Sequence, residues 1–495
     1  MHYERSSGIL LHITSLPGKY GIGTMGREAY EFVDFLVESG QKLWQILPLG
    51  HTGYGDSPYQ CFSAFAGNPL LIDLEKLVEQ GLLSSEDLPQ ESFDEGSVDF
   101  GAVFNYKYPL LKKAYTNFVR QNNKFRHTQF ENFYSRNEQW LDDYAFFMAV
   151  KIQQKGKAWT EWDRQIKFRE PEAINRYSEE LADEINFYRF VQFLFYRQWL
   201  ELKSYANLND IKIFGDIPLY VAFDSADAWA NPELFEFDKE LNPIHVAGVP
   251  PDYFSETGQL WGNPIYDWDY LEEQGFQWWI ERIRASFLLY DILRIDHFRG
   301  LAAYWAVPFG EKTAMKGEWV RAKGREMLEA VVDALGGVQI IAEDLGVITP
   351  DVVELRDDFG MPGMKILQFA FDSGEENEFI PHTYEKNTVV YTGTHDNDTT
   401  LGRFQEANEA DKQMMRDYFH INENDPAWSF IRLAWSTVSN MALAPLQDVL
   451  RLDTNARMNF PGKASGYWRW RYKKGELTSQ HAEDLMKLTR IFGRR

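Results

Sequence analysis

Short apolar runs rich in β-branched residues punctuate this chain, and most of them stop abruptly at polar residues or glycine. Eight recur, at 8–13, 42–47, 211–217, 292–296, 338–343, 364–369, 388–392 and 441–446. A strand buried on both faces of a parallel sheet reads as such a continuous run. Between the first two runs, residues 26–39 place Tyr30, Phe32, Val33, Phe35, Leu36 and Val37 where a packed helix needs them. Strand then helix, repeated, predicts a parallel α/β architecture, and eight such units predict a closed (β/α)8 TIM barrel.

The spacing of the runs is uneven. Far more chain separates the second run from the third than one crossover requires, so a large inserted subdomain is expected after strand 2, at 50–205. Its stretches 104–122, 130–154 and 176–206 carry Leu, Phe, Tyr, Lys and Glu at helical spacing, which predicts a mostly helical insert. A second insertion after strand 3, at 220–267, is dense in Pro, Gly, Asn and aromatic residues and lacks a helical period. It is expected as a loop-rich subdomain over the groove, because loops this long in a compact domain are usually functional. The whole chain, 1–495, is then a single barrel carrying both inserts, and its last two residues, Arg494 and Arg495, read as solvated charge.

Composition narrows the partners. With 51 Lys and Arg against 74 Asp and Glu, the formal net charge is -23. Such a surface repels phosphate backbones and anionic headgroups, which argues against nucleic acid and membrane. No stretch approaches the roughly 18 apolar residues that span a bilayer, and residues 8–11 are too short for the apolar core of a signal peptide. Cys61 is the only cysteine, which excludes intrachain disulfides and cysteine-rich zinc sites. The cytoplasm is the default compartment. Aromatic residues reach 16%; they serve either a core or platforms for sugar rings, and composition does not separate the two.

Four of the runs end in acids: Phe214-Gly215-Asp216, Arg294-Ile295-Asp296, Ala342-Glu343-Asp344 and Thr394-His395-Asp396-Asn397-Asp398. In a barrel the C-terminal strand ends share one rim, so these carboxyls would converge on one pocket. Converging carboxylates raise the pKa of at least one, which suits a split between a protonated acid and an ionised partner. Divalent-metal chemistry and glycosidic cleavage both use such clusters. Arg294, two residues from Asp296 and on the same strand face, favours the second, since a metal site would not place a fixed cation there. Separate ion pairs at strand ends would explain one or two of the segments but not four.

With these residues in view, the sequence closely resembles the 4-α-glucanotransferases (amylomaltase or disproportionating enzyme, glycoside hydrolase family 77) of the α-amylase clan. The likeness runs nearly end to end. It covers Gly8-Ile9-Leu10-Leu11-His12-Ile13-Thr14-Ser15-Leu16-Pro17-Gly18, Asp56-Ser57-Pro58-Tyr59-Gln60 and Gly215-Asp216-Ile217-Pro218. It continues through Pro250-Pro251-Asp252-Tyr253-Phe254, Gln259-Leu260-Trp261-Gly262-Asn263-Pro264 and Arg457-Met458-Asn459-Phe460-Pro461-Gly462. The resemblance implies Asp296 as nucleophile, Glu343 as general acid/base and Asp396 as transition-state stabiliser. It implies that Asp216, Arg294, His297 and His395 line the donor subsite, with Tyr59 as its stacking platform. Ser57, Trp261, Asn263, Asn459 and Pro461 are the further substrate-binding residues it implies, and no metal or cofactor.

The implied activity is transfer of an α-1,4-glucan segment to the 4-hydroxyl of glucose or a maltooligosaccharide, by a retaining double displacement. Retaining carboxyl pairs stand about 5 to 5.5 Å apart, and that short separation is expected of Asp296 and Glu343. An α-amylase-like hydrolase and a non-catalytic glucan-binding protein are the alternatives, the latter because fold does not fix function.

Overall fold

The computed structural model describes residues 3–495 apart from 54, 122, 252–254, 373–376 and 464. Asp252, Tyr253 and Phe254 of the Pro250 motif therefore lie outside the described residues. The eight apolar runs form eight strands: β1 (Ser6–Leu10), β2 (Leu43–Gln45), β3 (Lys212–Pro218), β4 (Ile292–Asp296), β5 (Ile340–Ala342), β6 (Gly363–Ile366), β7 (Thr388–Tyr391) and β8 (Met441–Pro445). They pair in parallel in the order β6-β7-β8-β1-β2-β3-β4-β5. The two ends of that order meet where the Ala342 N–H donates to the Pro362 carbonyl at 3.0 Å and the Met364 N–H to the Asp344 carboxylate at 2.7 Å. The sheet thus nearly closes on itself as the TIM barrel predicted from the sequence.

Alternation along each strand decides what the barrel contains. In β4, Leu293 and Ile295 face the helical shell, whereas Ile292 belongs to a lumen layer with Leu43, Phe214, Ile341, Met364, Val389 and Met441. Two residues further along the same inward face come Asp216 on β3 and Arg294 on β4, which are register partners. The barrel interior therefore turns from apolar to charged one layer below its mouth. Gly215, between Phe214 and Asp216, faces outward onto the Tyr290 ring, which would stand 2.1 Å from any Cβ built there. Close approach of that ring explains the glycine in the Gly-Asp-Ile-Pro run.

Between β2 and β3 lie the helices Phe100–Arg120, Lys124–Gln153, Pro171–Glu180 and Ala182–Leu208. Asp99 and Asn123 start the first two by accepting from Ala102 N and Arg126 N. Ring contacts such as Phe118 to Phe190, Phe133 to Tyr196 and Tyr144 to Tyr188 hold these helices together. The last helix also serves the barrel: Tyr205 donates to Asp34 at 2.6 Å and meets Tyr30, both on the helix Arg27–Glu38. Six tryptophans, Trp44, Trp159, Trp199, Trp229, Trp279 and Trp435, are fully buried, so the core takes a large share of the aromatic residues.

Residues 220–267 are more regular than their loop-rich pattern predicts. They supply the short helix Ala226–Ala230 and two strands, His245–Val249 and Gln259–Pro264. These join Ala303–Pro308 and Glu318–Arg321 in a four-stranded antiparallel sheet beside the barrel. Gly248, Gly262, Pro264 and an irregular register erase the alternation that would announce such strands.

The chain end also differs from its reading as solvated charge. Arg494 is fully buried, and its guanidinium donates to the carbonyls of Trp435 (2.8 Å), Ser6 (3.0 Å), Asn440 (3.3 Å), Ala434 (3.3 Å) and Thr437 (3.2 Å). Three of those carbonyls end the helix Pro426–Ser436 or follow it at once, where the negative end of the helix dipole favours a cation. Hydrogen bonds to a charged group contribute about 1.5 to 3 kcal/mol each, and buried carbonyls left unpaired carry a further cost. Arg494→Ala should therefore lower the thermal midpoint by several degrees while sparing the barrel mouth; an unchanged midpoint in a melting curve would contradict this.

Candidate active site

Four strand ends bring their acids to one place. Arg294, 3% exposed at its side chain, lies between Asp216, which is fully buried, and Asp296, which is 30% exposed. Its Nη1 donates to Asp216 Oδ2 and its Nη2 to Asp296 Oδ1, the latter at 2.7 Å. Burial alone would lower this guanidinium's pKa; the two carboxylates more than reverse that and raise it well above its ordinary value. The fork is what makes the arrangement possible, since a planar guanidinium serves two acceptors in fixed directions.

Asp216 also accepts from the Tyr59 hydroxyl at 2.7 Å, and that hydroxyl lies 2.9 Å from His395 Nε2. The Tyr59 and His395 rings stack at 5.4 Å, with Trp468 tilted against both. Burial lowers the pKa of His395 and takes that of His297 down to about 3, so both imidazoles are neutral at ordinary pH, and His395 meets the Tyr59 hydroxyl as a neutral group. His297 has left-handed backbone geometry (φ 56°), and this turn directs its N–H at Glu343 Oε2, 2.7 Å away. Leu345 N–H donates to the other oxygen at 3.0 Å. Phe298 N–H holds the Glu343 carbonyl at 3.0 Å, so one short turn after β4 fixes both ends of Glu343.

Burial raises the pKa of both Asp296 and Glu343, and each of the other site carboxylates, Glu343, Asp216 and Asp396, pushes Asp296 further up. Carboxyls sharing one dry pocket hold a proton between them. Arg294 pulls both carboxyls toward the charged form, and its hydrogen bond is to Asp296 and not to Glu343. Glu343 is pushed up to about 7 by burial against the opposing pull of Arg294 and its two N–H donors. The hydrogen bond from Arg294 favours the charged form of Asp296 and burial favours the neutral form of Glu343, which are the two forms that acid and nucleophile require.

Asp396 stands at the mouth with 41% of its side chain exposed. Asn459 Nδ2 donates to its Oδ1 at 2.6 Å, and His395 Nε2 lies 3.5 Å from its other oxygen. Trp261, half-buried, meets the His297 ring edge-on at 4.6 Å and joins the same mouth. Three further candidates stand back from the acids. Ser57 Oγ accepts from Tyr59 N at 3.3 Å within its own turn. Asn263 is buried, donating to the Val221 carbonyl at 2.8 Å and accepting from Gln60. Pro461 is exposed on the segment after Asn459. Sequence reasoning passed over Arg457, which bonds the Asp396 and Asn459 carbonyls, and Trp468, which backs Tyr59. Neither sits at a strand end or in a periodic pattern that would have flagged it. Among the described residues no three His, Cys, Asp or Glu side chains are grouped so as to hold a metal ion.

Comparison with known proteins gives the family. The sequence model of the 4-alpha-glucanotransferase family, glycoside hydrolase family 77, matches residues 11–478. A 4-alpha-glucanotransferase of Clostridium butyricum is 49% identical over 489 residues, covering 98% of this chain and all of the relative. The chloroplastic/amyloplastic 4-alpha-glucanotransferase of Arabidopsis thaliana is 43% identical, over 98% of this chain and 85% of its own length. The amylomaltase of Streptococcus agalactiae, solved in complex with acarbose, superposes with a TM-score of 0.96 at 44% identity, covering 99% of this chain and all of that one. The chain with Arg294 at the floor of its barrel mouth belongs to the 4-alpha-glucanotransferase family, glycoside hydrolase family 77.

Proposed function

We propose that this protein is a retaining 4-α-glucanotransferase whose donors are α-1,4-glucans and maltooligosaccharides and whose acceptors are glucose or maltooligosaccharides. The observation that carries the reading is the pairing of Arg294 with Asp296 beside a Glu343 pushed up to about 7. Half-identity to 4-alpha-glucanotransferases along the full chain supports it. Asp296, ionised, attacks the anomeric carbon while Glu343 gives its proton to the glycosidic oxygen. The C–O bond to the leaving glucan breaks as the glycosyl ester forms. Glu343, now a carboxylate, takes the proton of an acceptor 4-hydroxyl, which displaces Asp296 and restores the α-link. Asp396 faces the positive charge that grows on the sugar ring. Asp216, Arg294, His297 and His395 hold its hydroxyls, and Tyr59 and Trp261 bound the subsite with aromatic faces. Ser57, Asn263, Asn459 and Pro461 shape the surrounding segments.

Transfer rather than hydrolysis requires that acceptor sugars gain effective concentration over water. The aromatic mouth of Tyr59 and Trp261, the former backed by buried Trp468, gives acceptor sugars surface that water does not use. We place the protein in the cytoplasm on its single cysteine; no helix among the described residues is long and apolar enough to cross a membrane. The Arabidopsis relative, by its name, works in plastids.

Incubation with maltotriose should give glucose plus a ladder of longer maltooligosaccharides when the products are resolved by chromatography. Shorter sugars alone would make the protein a hydrolase, and no change at all a glucan binder. The protonation of Glu343 sets a second expectation: kcat/KM should fall above a pH near 7, as its carboxyl ionises and the leaving oxygen loses its proton donor. Glu343→Gln should abolish turnover of maltotriose; a flat profile from pH 6 to 9 would take Glu343 out of the acid role.

A further inference from the structure

The carboxylate of Asp396 is the most open of the site's acids, and the shortest hydrogen bond to it comes from outside its own loop. Its support comes from residues 457–460, which run beside the loop after β7. Asn459 N–H donates to the His395 carbonyl at 3.1 Å, and Asn459 Nδ2 to Asp396 Oδ1 at 2.6 Å. Arg457 completes a ring: its Nη2 donates to the Asp396 carbonyl and its Nε to the Asn459 carbonyl, both at 2.7 Å. The guanidinium lies 3.9 Å from the centre of the Phe460 ring, which sets its plane.

We propose that Arg457 is a positioning residue for Asp396, acting through Asn459. One guanidinium holds the two backbone carbonyls at a fixed separation, and that separation aims the Asn459 amide at the Asp396 carboxylate. In this reading Asn459 is the orienter of Asp396. Lysine in place of Arg457 keeps the charge but has no planar fork to span both carbonyls. This inference rests on the glucanotransferase reading, in which Asp396 touches the reacting sugar.

The test is a set of variants, R457K, N459A and the double variant, assayed on maltotriose with melting curves alongside wild type. Each single variant should lower kcat by about tenfold or more, leave KM within about twofold and keep its melting temperature, and the double should be no worse than the more impaired single. Asn459→Asp supplies a readout that a merely structural role would not move. A carboxylate at this position cannot donate to Asp396 Oδ1, so N459D should lose kcat at least as far as N459A while KM again stays within about twofold. Wild-type kcat in R457K, losses that multiply in the double variant, or wild-type kcat in N459D would each overturn the inference. If R457K does not fold, N459A and N459D decide it. A wild type that transfers nothing from maltotriose would count against the glucanotransferase reading instead. The inference is then judged on acarbose affinity, which R457K and N459A must weaken in equal measure; unequal or absent weakening would overturn it.

Discussion

A guanidinium sealed in the barrel lumen between two carboxylates is the feature on which the mouth of this protein depends. Removing ions from water costs several kcal/mol each, and a buried pair recovers that cost only with good geometry and full hydrogen bonding. Arg294 meets both conditions, since its two terminal nitrogens serve Asp216 and Asp296 and its Nε lies 3.4 Å from the Met364 sulfur. Taking it away would leave two carboxyls facing each other over an apolar layer with no counter-charge. The folded barrel and the chemistry of the mouth thus share one requirement, that this cation stay where β3 and β4 run in register.

Around that centre the structure divides labour by environment. Asp296 is held by a cation and opens toward the mouth, Glu343 is held by backbone N–H groups in a drier position, and Asp396 is held by an amide at the rim. The same residue type thus meets three electrostatic settings within one pocket, which is how carboxylates come to play different parts at one pH. The turn beginning at His297 is central to this division, because its left-handed residue aims an N–H that an ordinary strand ending would have directed elsewhere. Backbone strain of that kind is tolerated where the surroundings over-determine it.

Much of this was legible in the sequence, for physical reasons that differ by element. The barrel strands announced themselves because burial on both faces leaves uninterrupted apolar runs, and their acids because the polarity changes within two residues, as at Ile295 and Asp296. The antiparallel sheet stayed hidden because its strands are short and broken by Gly248 and Gly262, so only tertiary pairing makes them strands. Arg494 looked like solvated charge because a terminal arginine gives no local sign that five carbonyls will surround it. Arg457 gives as little sign for a related reason: one of its two partners, the Asp396 carbonyl, lies 61 residues away, in a loop it meets only after the chain has closed the barrel. What pattern reads well is burial; what it misses is a hydrogen bond whose two ends are distant in sequence.

The division of labour between Asp296 and Glu343 is the claim on which the proposed chemistry rests, and it can be caught in the act. A glucosyl or maltosyl fluoride needs no proton donor to leave, so the Glu343→Gln variant should form the glycosyl ester from it yet lack the base that activates an acceptor. Mass spectrometry of peptides from that variant, quenched in acid, should find one added glycosyl group on the peptide containing Asp296. An adduct on another carboxylate, or none while fluoride is released, would contradict the account.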